Sequence, residues 1–464
     1  MAERRPPDRS QLPPPGSSIY LLGIAGAGMA GLARLLASEG YLVAGSDTWL
    51  TPEARRLEIH GIRFVEPDDA VAATVTNVVV HTSAAPHDHP ILVAARQAGV
   101  PVLKRAQAMG ALLNERRLIA ISGTHGKTTV TAMTACVAEA GGLDPVALVG
   151  GRVEEWDGNA RVGTGPAIAE ADEYDRSFLE LDPSLAVITS AEPEHLECYD
   201  GPEHLRSSFR EFVARAAGRE GIVACAEGPG VRAVVNGLES VMTYGLDASA
   251  DYRVEILARS GTMQTCRFVS AGESFRFDLG APGDHNAQNA AAALAVGVEL
   301  GVEPPVLGAA LAEFSGVDRR LQLLGDRDGR VILDDYAHHP TEVRVSIAAV
   351  RDAWPGRTLA VVFQPHLYSR TQQMATEFAG ALTSADQAVV LPIYPAREEA
   401  IPGVTARLVT DASGGFAPAL SIDEILPWVD GLPTESVVLF MGAGDITRLA
   451  HEAADGKGAI DVGV

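Results

Sequence analysis

The stretch RLIAISGTHGKTTVTAM, residues 117–133, decides how the chain is read. An apolar run, Leu118–Ile121, is followed by Gly123-Thr124-His125-Gly126-Lys127-Thr128-Thr129 and then by residues that continue as a helix. Strand, glycine-rich turn and helix in that order are the context in which a short Gly/Lys pattern becomes a nucleotide phosphate site. Gly123 and Gly126 let the backbone turn tightly, so that amide N–H groups face a phosphate, and the helix N-terminus adds its positive dipole end. Thr128 or Thr129 can place a hydroxyl on Mg²⁺. The chain has 37 basic residues, of which three are lysines, Lys104, Lys127 and Lys457. A compact ammonium fits a loop wrapped around a phosphate where a planar guanidinium fits poorly, which explains a lysine at 127 in an arginine-rich protein.

Outward from this loop, the pattern is α/β throughout. Residues 18–115 alternate strands (SIYLLGI, YLVAGSD, NVVVHTS) with helices such as Met29–Glu39, which predicts a parallel sheet with helices on its faces. Residues 116–318 form a central domain that carries the nucleotide loop, with a mixed sheet. Within it, Asp251–Leu279 reads as a small antiparallel sheet of hairpins, and an Ala-rich helix starts near His285. Residues 319–464 alternate again, and Val343, Ile347, Val350 and Trp354 mark one buried helix face. Residues 1–17 read as a flexible Pro-rich tail without the apolar core of a secretory signal. The expectation is three domains, the outer two Rossmann-like.

Composition narrows the function classes. At 464 residues and 47% hydrophobic content the chain reads as a soluble multidomain protein, with no apolar run long enough for a membrane span, and the cytoplasm is the expected compartment. A formal net charge of −23 argues against a nucleic-acid partner. Cys136, Cys198, Cys225 and Cys266 lack metal or disulfide spacing and read as reduced thiols. A monomer or homodimer is expected.

A second glycine loop, Gly26-x-Gly28-x-x-Gly31 in YLLGIAGAGMAGLA, follows a strand and precedes a helix, with Asp47 at the end of the next strand. This is the layout of a dinucleotide site, or of a nucleotide diphosphate held the same way. Two nucleotide sites in one chain suggest that one nucleotide is the energy source and the other a handle on the substrate.

Together the motifs resemble the Mur ligases. The resemblance runs in order through GIAGAGMAGLA, ISGTHGKTT, AEADEYDRSFLEL, GDHNAQNAAAA, FSGVDRRLQ, LDDYAHHPTEV, VFQPHLYSRT and MGAGDI. It implies three domains, for a UDP-sugar, for ATP and for an amino acid. It also implies ATP-dependent ligation of L-alanine to the lactyl carboxylate of UDP-N-acetylmuramate through an acyl phosphate. By motif position, Thr128 contacts Mg²⁺, with Mn²⁺ compatible, and Glu170 with His195 holds a second ion. His285, Asn286 and Asn289 meet the adenine side, Arg320 reaches the phosphates across the domain junction, and Asp335 touches the ribose or orients the domain. Lys127, His195 and Arg320 are the implied catalytic groups. His338, His366, Tyr368 and Arg370 form the amino-acid site, the last as a planar fork on the carboxylate. Gly26, Gly28, Asp47 and Ser83 receive the UDP part.

The chain departs from the family at TSAEPEHLECYD, residues 189–200, where relatives commonly read TNIExDHxDxY: Ser190 and Ala191 replace Asn and Ile, and Glu194 and Glu197 replace Asp. Leu367 stands where arginine is frequent. Some related ligases use a carbamoylated lysine at the metal; here Lys127 is the sole lysine between 116 and 318, so carboxylates and His195 must serve. Rival readings are a murein-recycling ligase that adds a tripeptide to the same UDP-sugar, a nucleotide-dependent oxidoreductase, and a nucleotide-binding protein without turnover.

Overall fold

A computed structural model describes residues 6–49, 52–67, 69–195, 198–396 and 398–455; Glu197 and Lys457 lie outside the described residues. By backbone proximity the chain divides into two compact units. One comprises residues 1–255, 267–277 and 288–315, and the other 256–266, 278–287 and 316–464.

The first unit begins with five parallel strands, β1 (Ser18–Leu22), β2 (Leu42–Ser46), β3 (Arg63–Phe64), β4 (Val78–His81) and β5 (Val102–Lys104), in the order β3-β2-β1-β4-β5. The order reverses between β1 and β4, which opens a crevice at the carboxyl ends of the strands. The glycine loop and Ser83 follow those two strands. Residues 7–13, expected to be flexible, are packed instead. Asn114 Nδ2 donates to Pro7 O at 2.7 Å, Tyr41 Oη donates to Pro13 O at 2.8 Å, and Leu12 is buried. Carbonyls that hydrogen-bond and an apolar anchor hold down a stretch whose composition reads as loose.

A larger sheet contains β6 (Leu118–Ser122), β7 (Val146–Val153), β8 (Gly158–Arg161), β9 (Ala167–Glu170), β10 (Leu185–Ile188), β11 (Gly221–Cys225), β12 (Val241–Gly245), β13 (Tyr252–Ser260), β14 (Met263–Ser270) and β15 (Glu273–Leu279). Its order is β15-β14-β13-β12-β11-β10-β6-β9-β7-β8. The strand β6 lies between β10 and β9 with every residue buried, as its continuous apolar run demands. The expected hairpins of 252–279 join this sheet through two register pairs, Tyr244 with Tyr252 and Gly245 with Arg253.

In the second unit, β16 (Gln322–Arg327), β17 (Arg330–Asp335), β18 (Leu359–Phe363), β19 (Gln387–Val390) and β20 (Val437–Met441) run in the order β16-β17-β20-β18-β19, all parallel except the edge hairpin β16–β17. The helix Pro340–Ala353 buries Val343, Ile347 and Val350 against this sheet, with Trp354 packed at the margin of the same core. Among the described residues, no helix is long and apolar enough to cross a membrane.

Ile347 is 1% exposed, so Ile347→Ala removes three buried carbons from a closed core. The expected loss is about 2–5 kcal/mol, read as a lower urea midpoint for the transition of this unit. A change under about 0.5 kcal/mol, the range of surface substitutions, contradicts this packing.

Candidate active site

The glycine loop after β6, the candidate phosphate site, is built from left-handed glycines. Gly123 has φ +134° and Gly126 has φ +82°, conformations a side chain resists. A Cβ on Gly126 would also lie 2.8 Å from Asn289 Oδ1, which places Asn289 against the loop. Thr128 and Thr129 are buried in the first turn of the helix Lys127–Ala140.

Lys127 Nζ donates to Gly123 O at 2.6 Å and Thr124 O at 3.3 Å, and pairs with Glu173 Oε2 at 2.7 Å. Burial alone would discharge this amine. Glu173, Asp172 and Glu170 more than reverse that, raising its pKa so that it stays charged. Glu173 is 1% exposed, and burial pushes its carboxyl up. Its second oxygen, Oε1, is buried and accepts no hydrogen bond among the described residues.

Beside this carboxylate, one ligand atom each from Glu173, Glu194 and His195 lie within 4.8 Å of one another. Two carboxylates and an imidazole, one carboxylate oxygen being buried and unsatisfied, are a donor set that fits Mg²⁺ or Mn²⁺. Glu170, expected beside His195, directs Oε2 to the Gly150 N–H at 2.6 Å. Sequence reasoning missed Glu173, three positions further along EADEYD. Its signal was the number of acids in that segment, which spacing alone does not rank. The same turn carries Asp175 and Arg176 at φ +52° and +55°. It is tied to the end of β5, where Lys104 Nζ pairs with Asp175 at 2.7 Å and Arg105 lies 3.9 Å from Asp172.

At the first glycine loop, Gly26 precedes the helix Ala27–Ser38, and a Cβ on Gly28 would lie 2.7 Å from Arg105 Nη1. Asp47 accepts from Ala25 N–H at 2.9 Å and Thr48 N–H at 2.8 Å, so it braces the loop from the neighbouring strand end. The Ser83 hydroxyl donates to Asp175 at 3.3 Å.

In the second unit, Asp335 has both oxygens engaged. Oδ2 accepts from Leu321 N–H at 2.7 Å, and Oδ1 accepts from Ala337 N–H at 2.8 Å and the Ser346 hydroxyl at 3.3 Å. Burial raises its pKa to about 6. It locks the turn that carries Arg320, whose guanidinium carbon lies 5.2 Å from the Tyr336 ring centroid. Arg319, on the same ring at 4.9 Å, donates to Gly442 O and Gly444 O. His285 is half-buried, and desolvation pulls its pKa to about 4. Asn286 donates to Pro282 O at 2.8 Å.

The strand order brings together His338, after β17, and His366, after β18, with ring centroids 5.7 Å apart. Tyr336 meets His338 at 5.3 Å, and Tyr394, after β19, stacks on His366 at 5.8 Å. Tyr368 and Arg370 are half-buried in the first turn of the helix Tyr368–Leu382. Burial, then the charges of His338 and Arg370, push the His366 pKa down to about 4 and keep the ring neutral near neutral pH. Tyr336 and Tyr394 were not singled out from sequence; both stand in the quoted or neighbouring segments, but their contacts depend on strand order.

With this geometry in view, three family models cover the chain in succession. They are the Mur ligase family catalytic domain over residues 18–117, the Mur ligase middle domain over 121–297, and the Mur ligase glutamate ligase domain over 319–444. The chain belongs to the Mur ligase family. It is 42% identical to a UDP-N-acetylmuramate–L-alanine ligase of Paenarthrobacter aurescens, over 92% of this chain and 94% of that protein. It is 38% identical to the enzyme of that name from Chlorobium phaeovibrioides, over 94% and 97%. Its fold superposes on the UDP-N-acetylmuramate–alanine ligase of Thermotoga maritima with a TM-score of 0.80 at 28% identity, covering 95% and 99%. A murein peptide ligase of Psychrobacter arcticus shares the fold, with a TM-score of 0.70 at 23% identity and coverage of 96% and 100%.

His366 gives a pH signature. Its pKa falls from an ordinary 6.5 to about 4 on folding. The unfolded chain therefore binds the extra proton first. The stability it contributes is complete above pH ~6.5 and is lost as pH falls toward ~4. His366→Gln should flatten this part of the stability–pH curve in urea titrations; an unchanged slope between pH 6.5 and 4 contradicts a buried neutral ring.

Proposed function

We propose that this chain is an ATP-dependent ligase that joins L-alanine to the lactyl carboxylate of UDP-N-acetylmuramate, yielding ADP and phosphate. The observation that carries the reading is a glycine loop whose half-buried lysine is held by a buried carboxylate, in a chain close to alanine-adding ligases over nearly all its length.

The lactyl carboxylate attacks the γ-phosphorus of ATP; the bridging P–O bond breaks, ADP leaves, and an acyl phosphate forms. The alanine amine then attacks the acyl carbon. The tetrahedral intermediate collapses, the C–O bond to phosphate breaks, and the amine nitrogen gives up its proton. Lys127 exchanges Glu173 for phosphate oxygens and offsets charge developing there. Gly123, Thr124, His125, Gly126 and Thr129 shape the loop around the phosphates. Thr128, Glu170 and His195, joined by Glu173 and Glu194, are the groups to hold Mg²⁺, which when bound neutralises phosphate charge. His285, Asn286 and Asn289 are assigned to the nucleoside end, Arg320 to the phosphates, and Asp335 to orienting Arg320. In this assignment Arg370 pairs with the alanine carboxylate, beside His338 and Tyr368. His366, held neutral, can accept a hydrogen bond from the amine. Gly26, Gly28, Asp47 and Ser83 are assigned to the UDP part.

Phosphate release with ATP, Mg²⁺ and UDP-N-acetylmuramate is expected with L-alanine, with a product heavier by one alanyl residue. Release only with the L-Ala-γ-D-Glu-meso-diaminopimelate tripeptide would select the recycling ligase instead. Lys127→Ala should lower turnover at least about a hundredfold, as loss of a preorganised charge at the transition state does, while UDP-sugar binding survives. Ligation by that variant at the wild-type rate contradicts the assignment.

A further inference from the structure

Three of the four residues assigned to the amino-acid site, His366, Tyr368 and Arg370, stand within five positions of HLYSR. This backbone does not hold itself in place. Leu367 precedes the helix Tyr368–Leu382 at φ +71° and ψ +135°, a positive-φ conformation sparsely populated by residues with a side chain, of a kind that costs about 1–3 kcal/mol. It also supplies no side-chain cap to the first helical N–H groups.

A distant segment supplies what is lacking. Tyr394 N–H donates to Pro365 O at 2.8 Å, and Leu367 N–H donates to Tyr394 O at 3.0 Å. The Tyr394 ring lies nearly parallel to His366, at 14°. Gly444 makes room for it: a Cβ there would stand 2.5 Å from Tyr394 Cγ. Four residues on, the Glu398 carboxylate accepts from Ser369 N–H at 2.9 Å, from the Ser369 hydroxyl and from the Tyr368 N–H. Burial alone would raise its pKa; these hydrogen bonds outweigh burial and keep it ionised.

We propose that Glu398 is a positioning residue for the amino-acid site, a carboxylate cap brought in from another loop. It fixes the first turn of this helix, and so sets where His366 and Arg370, on either side of the strained Leu367–Ser369 corner, meet the amine and carboxylate of a small amino acid. The proposal rests on the ligase reading above. Glu398 touches no substrate. Its anionic form suits the place, because carboxylates stabilise helix N-termini, and His366 lies within reach of its charge. No sequence spacing announces it, since 29 positions separate it from Ser369.

The test uses the full-length protein with ATP, Mg²⁺ and UDP-N-acetylmuramate while L-alanine is varied. Glu398→Ala should raise KM for alanine about tenfold, the scale of losing a helix cap, with KM for ATP unchanged and kcat at saturating alanine largely retained. The preference for alanine over serine should narrow, and Glu398→Asp should recover part of the loss. An unchanged alanine KM and unchanged preference, or equal losses for ATP and alanine, would overturn the proposal. Hydrogen exchange of the peptide spanning Leu367–Thr371 supplies a readout that needs no turnover. Protection should fall in Glu398→Ala, and unaltered protection would overturn the capping role. Wild-type protein inert toward alanine, with protection lost in the variant, would leave the cap standing and remove the ligase reading.

Discussion

The structure turns on one largely enclosed ion pair, half-buried Lys127 with buried Glu173. Two opposite charges taken out of water are costly to bury, and such a pair persists when its geometry and its surroundings are both favourable. Here the ammonium also has two loop carbonyls, and Asp172 and Glu170 add to the local negative field. The carboxylate is less well served, with one oxygen on Lys127 and the other buried without a hydrogen bond among the described residues. That asymmetry suits a loop that waits for an anion. A phosphate can take the ammonium and a cation can take the carboxylate, so a nucleotide with its cation would give each member of the pair a new partner.

The rest of the fold supports groups at the carboxyl ends of parallel strands. In the first sheet the glycine loop follows β1 and Ser83 follows β4, on either side of the switch point. In the central sheet the phosphate loop follows β6, Glu170 ends β9, and Thr189 follows β10. In the last sheet Tyr336 and His338 follow β17, His366 follows β18, Tyr394 follows β19, and Gly442 and Gly444 follow β20. Each sheet therefore gathers residues remote in sequence at one rim, where backbone N–H groups and side chains converge.

Much of this was legible in the sequence, for physical reasons that differ by element. The run Leu118–Ile121 in β6 is apolar on every residue because both faces of that strand are covered, and the spacing of Val343, Ile347 and Val350 is that of a helix with one buried face. The loop lysine could be picked out because arginine serves almost everywhere else. What the pattern did not rank was carboxylates. Glu170 and Glu173 differ by three positions in an acidic segment, and the left-handed turn at Asp175 and Arg176 that carries Glu173 to Lys127 has no glycine to announce it. Asp335 was expected to touch the ribose or orient the domain; its oxygens serve the backbone of Leu321 and Ala337 and the Ser346 hydroxyl. Tyr394 and Glu398 were invisible, since their value comes from contacts that strand order creates. The departures at Ser190 and Glu194 also find a place: Ser190 Oγ accepts from His125 N–H at 3.0 Å, and Glu194 joins His195 and Glu173.

The scarcity of lysine makes the central claim directly measurable. With ¹⁵N-labelled lysine the side-chain spectrum of this protein has three ammonium signals, from Lys104, Lys127 and Lys457. A Lys127 ammonium hydrogen-bonded to two carbonyls and paired with Glu173 should give one slowly exchanging signal, which Glu173→Gln shifts in the free protein. Saturating MgATP should move that signal, and once nucleotide is bound its position should become insensitive to Glu173→Gln. A Lys127 signal that ignores MgATP, or that still follows Glu173 after nucleotide has bound, would contradict the exchange of carboxylate for phosphate on which this account rests.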